Sequence, residues 1–492
     1  MIKLNFKKRI IFGVASTSLS QLISISQTIL TVPMFINAWG VDGYGKWIIL
    51  TSVIMYLNLL DFGGQNYIGN LLTIDYNNND YEKFKINLSQ GLSVFILIII
   101  IAIVILFFIS FIILNPNLFN LQNKFSITEL SIFFIIGVAF LISIPGGVYI
   151  SIYRASGKFA RATLIGNILK IAVLISTLFL LYLRVNMFYY SIFFLITGII
   201  GTLVVFIDSK KMFPLLSIVN INLSNAKKGF KFLKGSFSFW LIAISNSLNI
   251  QGVILVLSIY VDPTTIVLYS THKMIGNFVS YIGNVFQAPL WPEFTKLFTL
   301  NNSIELKNLI LNSIKIIMFL TIISIFLIWI FIPYLYPIWS GNKISIDFDV
   351  LFLILLQTFI ASSWTTAGWV LYATNNTSKI AIFSILNGLF TVLISLILIP
   401  KYKLIGLCIS TLSGDLLFGF LTYPFLVNKI FGLKPLRFYK IFIQYTFFLI
   451  PLIFVILNTS NVFFKILIIS LWILTLIKFT KIFNNLKYIN IE

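Results

Sequence analysis

The chain has little of what soluble catalytic proteins rely on. Its 492 residues include one cysteine, Cys408, and one histidine, His272. One thiol cannot form an intramolecular disulfide, and a lone cysteine and a lone histidine exclude the usual zinc arrangements, so no metal is expected. No HExxH, no Walker A loop, no GxSxG in a suitable context and no acidic pair beside a nucleophile occur. The chain is therefore expected not to be an enzyme, to hydrolyse no nucleotide and to hold no cofactor. Long polar stretches are also missing. The longest is the basic run from Asp208 to Lys234, too short for a separate soluble domain. No cleavable signal peptide is evident, because the first apolar run is too long and lacks a small-residue cleavage site.

Apolar residues fill the space. They make up 59% of the chain, more than a water-soluble surface could accommodate. They gather into about fourteen runs, from 10–36 and 46–68 at one end to 439–457 and 462–480 at the other, each near the roughly 20 residues that span a bilayer as a helix. In hydrocarbon a spanning segment must satisfy its own backbone hydrogen bonds, which selects the α-helix. The fold class predicted is an all-α polytopic membrane protein with about 14 transmembrane helices.

A formal charge of +21 would suggest nucleic acid in a soluble chain. Here the distribution argues for topology instead, and no nucleic-acid partner is expected. With Met1 inside, about 25 cations fall on the cytoplasmic side, including Lys7, Lys8, Arg9, Lys83, Lys85, Arg154, Arg161 and Lys227. Only about seven fall outside, among them Lys46, Lys124 and Arg184. Both termini are accordingly expected in the cytoplasm. Two internal matches share an offset of about 219–220 residues, the spacing of a repeat. Tyr153 with Val173 to Ser176 matches Tyr372 with Val392 to Ser395, and Val41-Asp42 matches Val261-Asp262. They predict two six-helix lobes related by a parallel repeat, an N-lobe at 1–210 and a C-lobe at 229–430, with accessory spans and tail at 436–492.

Polar side chains inside spans mark candidate sites. The first run carries Ser20, Gln21, Ser24, Gln27 and Thr28 at helical spacing, and the seventh carries Ser245, Asn249 and Gln251. Small polar residues also serve helix packing, but the added amides favour a wet cavity. Ionisable residues at depth are rarer. Lys170 lies roughly 13 Å beyond Arg161 at helical rise, His272 and Lys273 sit a similar distance into the eighth run, and Lys315 is about two turns into the ninth. Lys315 lies within snorkelling reach of the interface. Asp61 ends the second run and Asp415 lies within the twelfth, as a structural partner of a lysine or as a proton carrier. Cations outnumber anions at depth, which suits a substrate bearing phosphate.

The segment Thr31 to Trp47 contains Pro33, Gly40, Tyr44, Gly45 and Trp47 and continues to Asp61 and Gly63. It resembles the first two spans of Wzx-type polysaccharide flippases, which have a proline in the first span, a Gly-x-x-x-Tyr-Gly-x-Trp loop and a Leu-Asp-x-Gly end to the second. Tyr153-Arg154 with Gly157, Ala288-Pro289 with Pro292-Glu293, and Ile405-Gly406 resemble later span ends of the same family. The resemblance implies the multidrug/oligosaccharidyl-lipid/polysaccharide exporter superfamily. It implies a flippase that moves a polyprenyl-diphosphate-linked oligosaccharide, an O-antigen or other polysaccharide repeat unit, across a bacterial inner membrane by alternating access. A polysaccharide polymerase and a chain-length regulator would act with it, and membrane lipid would surround it. On that reading Lys170, Lys273, Arg154, Lys315, Gln21, Gln27, Asn249 and Gln251 contact diphosphate or sugar, while Asp61, Asp415 and His272 are candidates for ion coupling. Rival readings are a lipid-linked peptidoglycan precursor flippase, a multidrug or cation antiporter and, from another class, a membrane-embedded glycosyltransferase or polymerase. The absence of a large loop and of catalytic acids weighs against the last.

The charge distribution gives a direct test of topology. Cysteine reporters at Asn458 and Asn375 should label from outside and only from inside, respectively. Labelling of Asn375 by an impermeant reagent in intact cells would overturn the assignment.

Overall fold

The computed structural model describes residues 6–114, 126–213, 219–287, 302–374 and 377–458, with parts of 288–301. The run 462–480 and the motif residues Ala288, Pro289, Pro292 and Glu293 lie outside the described residues. Among the described residues every regular element is helical. Nine helical stretches among the described residues are long and apolar enough to cross a membrane, so the protein is an all-α polytopic membrane protein.

The first compact unit comprises Met1–Val267. Its helices are α1 (Phe6–Met55), α2 (Gly64–Asn77), α3 (Tyr81–Leu114), α4 (Ile127–Ala155), α5 (Phe159–Tyr182), α6 (Met187–Met212), α7 (Leu223–Gly229), α8 (Lys231–Ser247) and α9 (Val253–Tyr260). Helix α10 (Pro263–Gln287) begins in this unit and continues into the second, Leu268–Glu492. There α11 (Ser303–Ser340), α12 (Phe348–Ala373), α13 (Thr377–Gly414), α14 (Tyr423–Phe431) and α15 (Pro435–Asn458) follow.

Two long stretches, Ser18–Asn77 and Ser378–Phe431, far exceed one bilayer crossing, and each is broken where the chain must turn. Gly40 has φ 74° and ψ 172°, a region open essentially to glycine alone. The stacked rings of Phe35 and Trp47 are 6.3 Å apart, although a straight helix would separate them by roughly 18 Å. The chain therefore folds back at Gly40. Lys403, at φ 47° and ψ −122°, marks the second reversal. Phe35, Trp39, Trp47 and Tyr190 close the first bend as an aromatic cluster, and the Trp39 indole donates to the Val185 carbonyl at 2.8 Å.

A subtler interruption divides the second predicted run. A 3-10 turn at Tyr56–Asp61 leads to Phe62 (φ 48°) and Gly63 (φ 67°) before α2 starts. Helices α8 and α9 are likewise separated by a π-turn at Leu248–Gly252. The core of the unit gathers Leu72, Leu88, Phe95, Leu141, Ile152 and Phe232 between α2, α3, α4 and α8. Outside it, α3 exposes Ile100, Val104, Phe107 and Phe108. Such a patch would aggregate in water but is an ordinary face in lipid.

Helix α10 starts with Pro263, pre-set for the first helical position. The hydroxyls of Thr264 and Thr265 donate to Asp262 and hold its carboxyl down at about 2. The return segment of α1 packs so closely here that a Cβ on Gly45 would lie 2.3 Å from the Pro263 carbonyl oxygen.

These contacts predict the effect of three alanine substitutions on melting in detergent. Gly45→Ala forces backbone against backbone, and Gly40→Ala strains φ at a cost of order 1–3 kcal/mol, so both lower Tm. Gly201→Ala, in open space on α6, leaves Tm unchanged or slightly higher. An unchanged Tm in Gly45→Ala would contradict the close approach.

Candidate functional site

In the first unit, α1 packs along α5. Ser20 and Ser24 are four residues apart and share a face of α1. The Lys170 ammonium on α5 donates to both hydroxyls, at 3.1 and 3.4 Å. The Ser24 hydroxyl donates in turn to the Ser20 carbonyl at 2.9 Å, and that of Thr28 to the Ser24 carbonyl at 3.0 Å. The polar stripe of the first run thus receives the cation of the fifth. Gln21 and Gln27 are half-buried on the same helix. Lys170 itself is exposed and pairs with no carboxylate among the described residues. Among the described residues its charge is met by the two serine hydroxyls.

The other first-unit candidates lie apart from this pair. Arg154, on α4, donates to the Asn66 carbonyl at 3.3 Å and lies over Gly69 of α2, where a Cβ would come within 2.0 Å of its Nη2. Asp61 closes its own turn, accepting from the Gly63 backbone at 2.8 Å. The Trp240 indole donates to the Leu59 carbonyl at 2.9 Å beside it. Asn249 donates to the Ser245 carbonyl at 3.1 Å, and the Gln251 amide faces the Met55 sulfur. Asp208, which the sequence showed only as the start of the basic run, takes Arg161 bidentately at 3.0 and 2.6 Å and also accepts the Tyr153 hydroxyl. It ties α4, α5 and α6 together.

The second unit contains a connected polar cluster. Lys273 on α10 donates to Gln357 Oε1 at 2.8 Å, and Gln357 Nε2 donates to Asp415 Oδ2 at 2.8 Å. Asn387 donates to Asp415 Oδ1 at 3.3 Å and accepts the Thr391 hydroxyl at 3.1 Å. Four segments meet here: α10, α12, α13 and the π-turn Asp415–Phe420. Gln357 has its carbonyl toward the ammonium and its amide nitrogen toward the carboxylate, so it bridges opposite charges. Unlike Lys170, Lys273 is compensated. Sequence reasoning missed Gln357 and Asn387, whose signal was a single amide in each run.

His272 lies next to this cluster in sequence but has different partners. The Asp347 backbone N–H donates to Nε2 at 3.1 Å, which leaves Nδ1–H to donate to the Leu268 carbonyl at 2.7 Å. The ring is the neutral Nδ1–H tautomer with both nitrogens engaged, at the N-terminus of α12. Lys315 is half-buried on α11, away from the cluster's hydrogen bonds.

Broken spans with polar side chains gathered at mid-helix are a known arrangement of helical membrane proteins. Comparison with solved structures agrees. The chain is similar to the lipid II flippase MurJ in an inward closed conformation, with a TM-score of 0.68 and 17% identity over 96% of this chain and 98% of that one. An inward-facing multidrug resistance MATE family transporter of the MOP superfamily gives 0.67 and 13%, over 83% and 95%. A MOP superfamily transporter from Pyrococcus furiosus gives 0.53 and 14%, over 86% and 95%. At these identities the likeness is one of fold, and this chain has the fold of MOP superfamily transporters. No family model and no curated protein matches the sequence.

The bridge is open to mutation. Gln357→Ala leaves the Lys273 ammonium and the Asp415 carboxylate each short of a partner and should cost about 1–3 kcal/mol of stability. Gln357→Glu keeps an acceptor for Lys273 but sets a second carboxylate against Asp415, so it too should melt below wild type. Equal Tm values for wild type and Gln357→Ala in detergent would remove Gln357 from the cluster.

Proposed function

We propose that this protein is a flippase for a polyprenyl-diphosphate-linked oligosaccharide, an O-antigen or other polysaccharide repeat unit, working by alternating access in a bacterial inner membrane with both termini cytoplasmic. The observation that carries the reading is Lys170, a cation on a spanning helix held between two serine hydroxyls and paired with no carboxylate among the described residues. A cation costs free energy in a low-dielectric region unless an anion joins it. A diphosphate supplies that anion, and Gln21, Gln27 and the hydroxyls of α1 supply hydrogen bonds in place of the water that the sugars leave behind. The tail needs no such site and stays in lipid. The two six-helix lobes expected at 1–210 and 229–430 are the bodies that would rock, with 436–492 accessory to them.

For energy coupling we assign Asp415, with Lys273 as its charge partner through Gln357. Asp61 and both nitrogens of His272 are engaged with backbone groups, so neither exchanges a proton without breaking local structure, whereas the partners of Asp415, Gln357 and Asn387, are side-chain amides. A polysaccharide polymerase and a chain-length regulator remain the partners expected on this reading. A second reading, a lipid-linked peptidoglycan precursor flippase, is favoured by the likeness to MurJ across 96% of this chain, against 83% for the MATE transporter. An antiporter of organic cations fits less well, because an uncompensated lysine repels such a substrate.

Proteoliposomes separate these readings. With a fluorescent polyprenyl-diphosphate oligosaccharide, Lys170→Ala should slow flipping at least about tenfold, the equivalent of about 1.4 kcal/mol, with Lys170→Arg retaining part of the rate. Asp415→Asn should abolish acceleration by an imposed pH gradient. Normal flipping by Lys170→Ala would overturn the diphosphate assignment, and faster flipping of lipid-linked peptidoglycan precursor would select the second reading.

A further inference from the structure

A feature outside the transport path concerns the basic run between α6 and α8. From Ser209 to Lys234 the sequence has no acidic residue. Helix α7 and the start of α8 run nearly continuously, with the Phe230 backbone N–H donating to the Ala226 carbonyl at 3.2 Å. One face is fastened to α3. The backbone N–H groups of Asn220 and Asn222 donate to the Ser89 and Ser93 hydroxyls at 3.2 and 3.3 Å. Ala226 and Phe232 are buried, and a Cβ on Gly229 would lie 2.4 Å from the Gln90 carbonyl oxygen. The segment is held in place and its orientation is fixed.

The opposite face is unusual. Leu223, Lys227, Phe230, Lys234 and Phe237 follow one another at spacings of four and three, a single helical stripe, and all five are exposed. Leu223 is 59%, Phe230 43% and Phe237 51% exposed. Lys228 and Lys231 flank the stripe, also exposed. None of these lysines pairs with a carboxylate among the described residues. Apolar side chains alternating with unpaired cations along one face match the boundary between hydrocarbon and anionic headgroups. The rings and Leu223 enter the acyl region, and each lysine near the surface gains about 1 kcal/mol from anionic lipid.

We propose that the face formed by Leu223, Lys227, Phe230, Lys234 and Phe237 is a binding site for anionic phospholipid headgroups in the leaflet bordering this end of α8. A pinned, pre-oriented face differs from loosely distributed topogenic charge. It gathers headgroup phosphates without ordering a flexible loop first, and it anchors α8 at a defined depth.

The test uses the full-length protein in zwitterionic detergent, with Tm measured on adding phosphatidylglycerol, phosphatidylcholine or inorganic phosphate. Phosphatidylglycerol should raise Tm more than phosphatidylcholine, and the difference should shrink in high salt. The variant Lys227→Gln/Lys228→Gln/Lys231→Gln/Lys234→Gln should keep its Tm in phosphatidylcholine and lose the excess shift. If this variant does not fold, the pairs Lys227→Gln/Lys228→Gln and Lys231→Gln/Lys234→Gln should each lose part of it, whereas Lys83→Gln/Lys85→Gln should lose none. The proposal is overturned by a wild type that does not distinguish the two lipids, by lysine variants that keep the full excess, or by an equal shift with inorganic phosphate.

Discussion

The backbone has no water to turn to inside a bilayer, and the rest of this structure depends on that constraint. It makes every spanning element a helix, and it makes each departure from a helix a place where side chains must supply what the broken ladder loses. The interruption at Tyr56–Asp61 is handled in this way. The Asp61 carboxylate accepts the Gly63 N–H, and the Trp240 indole donates to the Leu59 carbonyl. Across from it, the π-turn Leu248–Gly252 sits beside Tyr56, whose hydroxyl donates to the Ser247 carbonyl at 3.4 Å. Polar residues that looked like candidates for substrate contact are thus partly occupied in keeping a broken helix satisfied.

The same low-dielectric setting distinguishes the two lysines at depth. Lys273 reaches a carboxylate through one amide, so the cluster with Gln357 and Asp415 carries both signs of charge within a few hydrogen bonds. Among the described residues Lys170 meets only hydroxyls. An isolated cation of this kind is expensive in hydrocarbon and tolerable in a polar cavity or against an anionic ligand. The division of labour proposed here, anion binding at Lys170 and coupling at Lys273 and Asp415, follows from this difference in compensation rather than from the identity of the residues.

Much of the fold was legible in the chain itself. Apolar run length is a local property: the runs near 128–152, 162–183 and 349–372 match α4, α5 and α12 to within a few residues, whereas α3 and α6 extend beyond the runs near 88–114 and 187–207. The Gly-x-x-x-Tyr-Gly-x-Trp segment marked a turn, and Gly40 with its positive φ is where the chain reverses. The site was less legible. Asp61 and His272 read as ionisable groups at depth, but their roles depend on backbone atoms that sequence does not locate, the Gly63 and Asp347 amides. Gln357 gave no charge signal at all.

The sequence by itself determined that this is a membrane-embedded helical protein and where most of its helices lie, because hydropathy and helical period act over a few turns of contiguous chain. The basic face of α7 and α8 had to wait for the structure, because the sequence showed the run from Asp208 to Lys234 only as a polar interruption between spans. The tertiary structure alone decided which polar groups meet. Lys170 and Ser20 are 150 residues apart, and Lys273 and Gln357 are 84 apart. Such pairs form only when helices already committed to the membrane pack side by side, and nothing local to either residue specifies its partner.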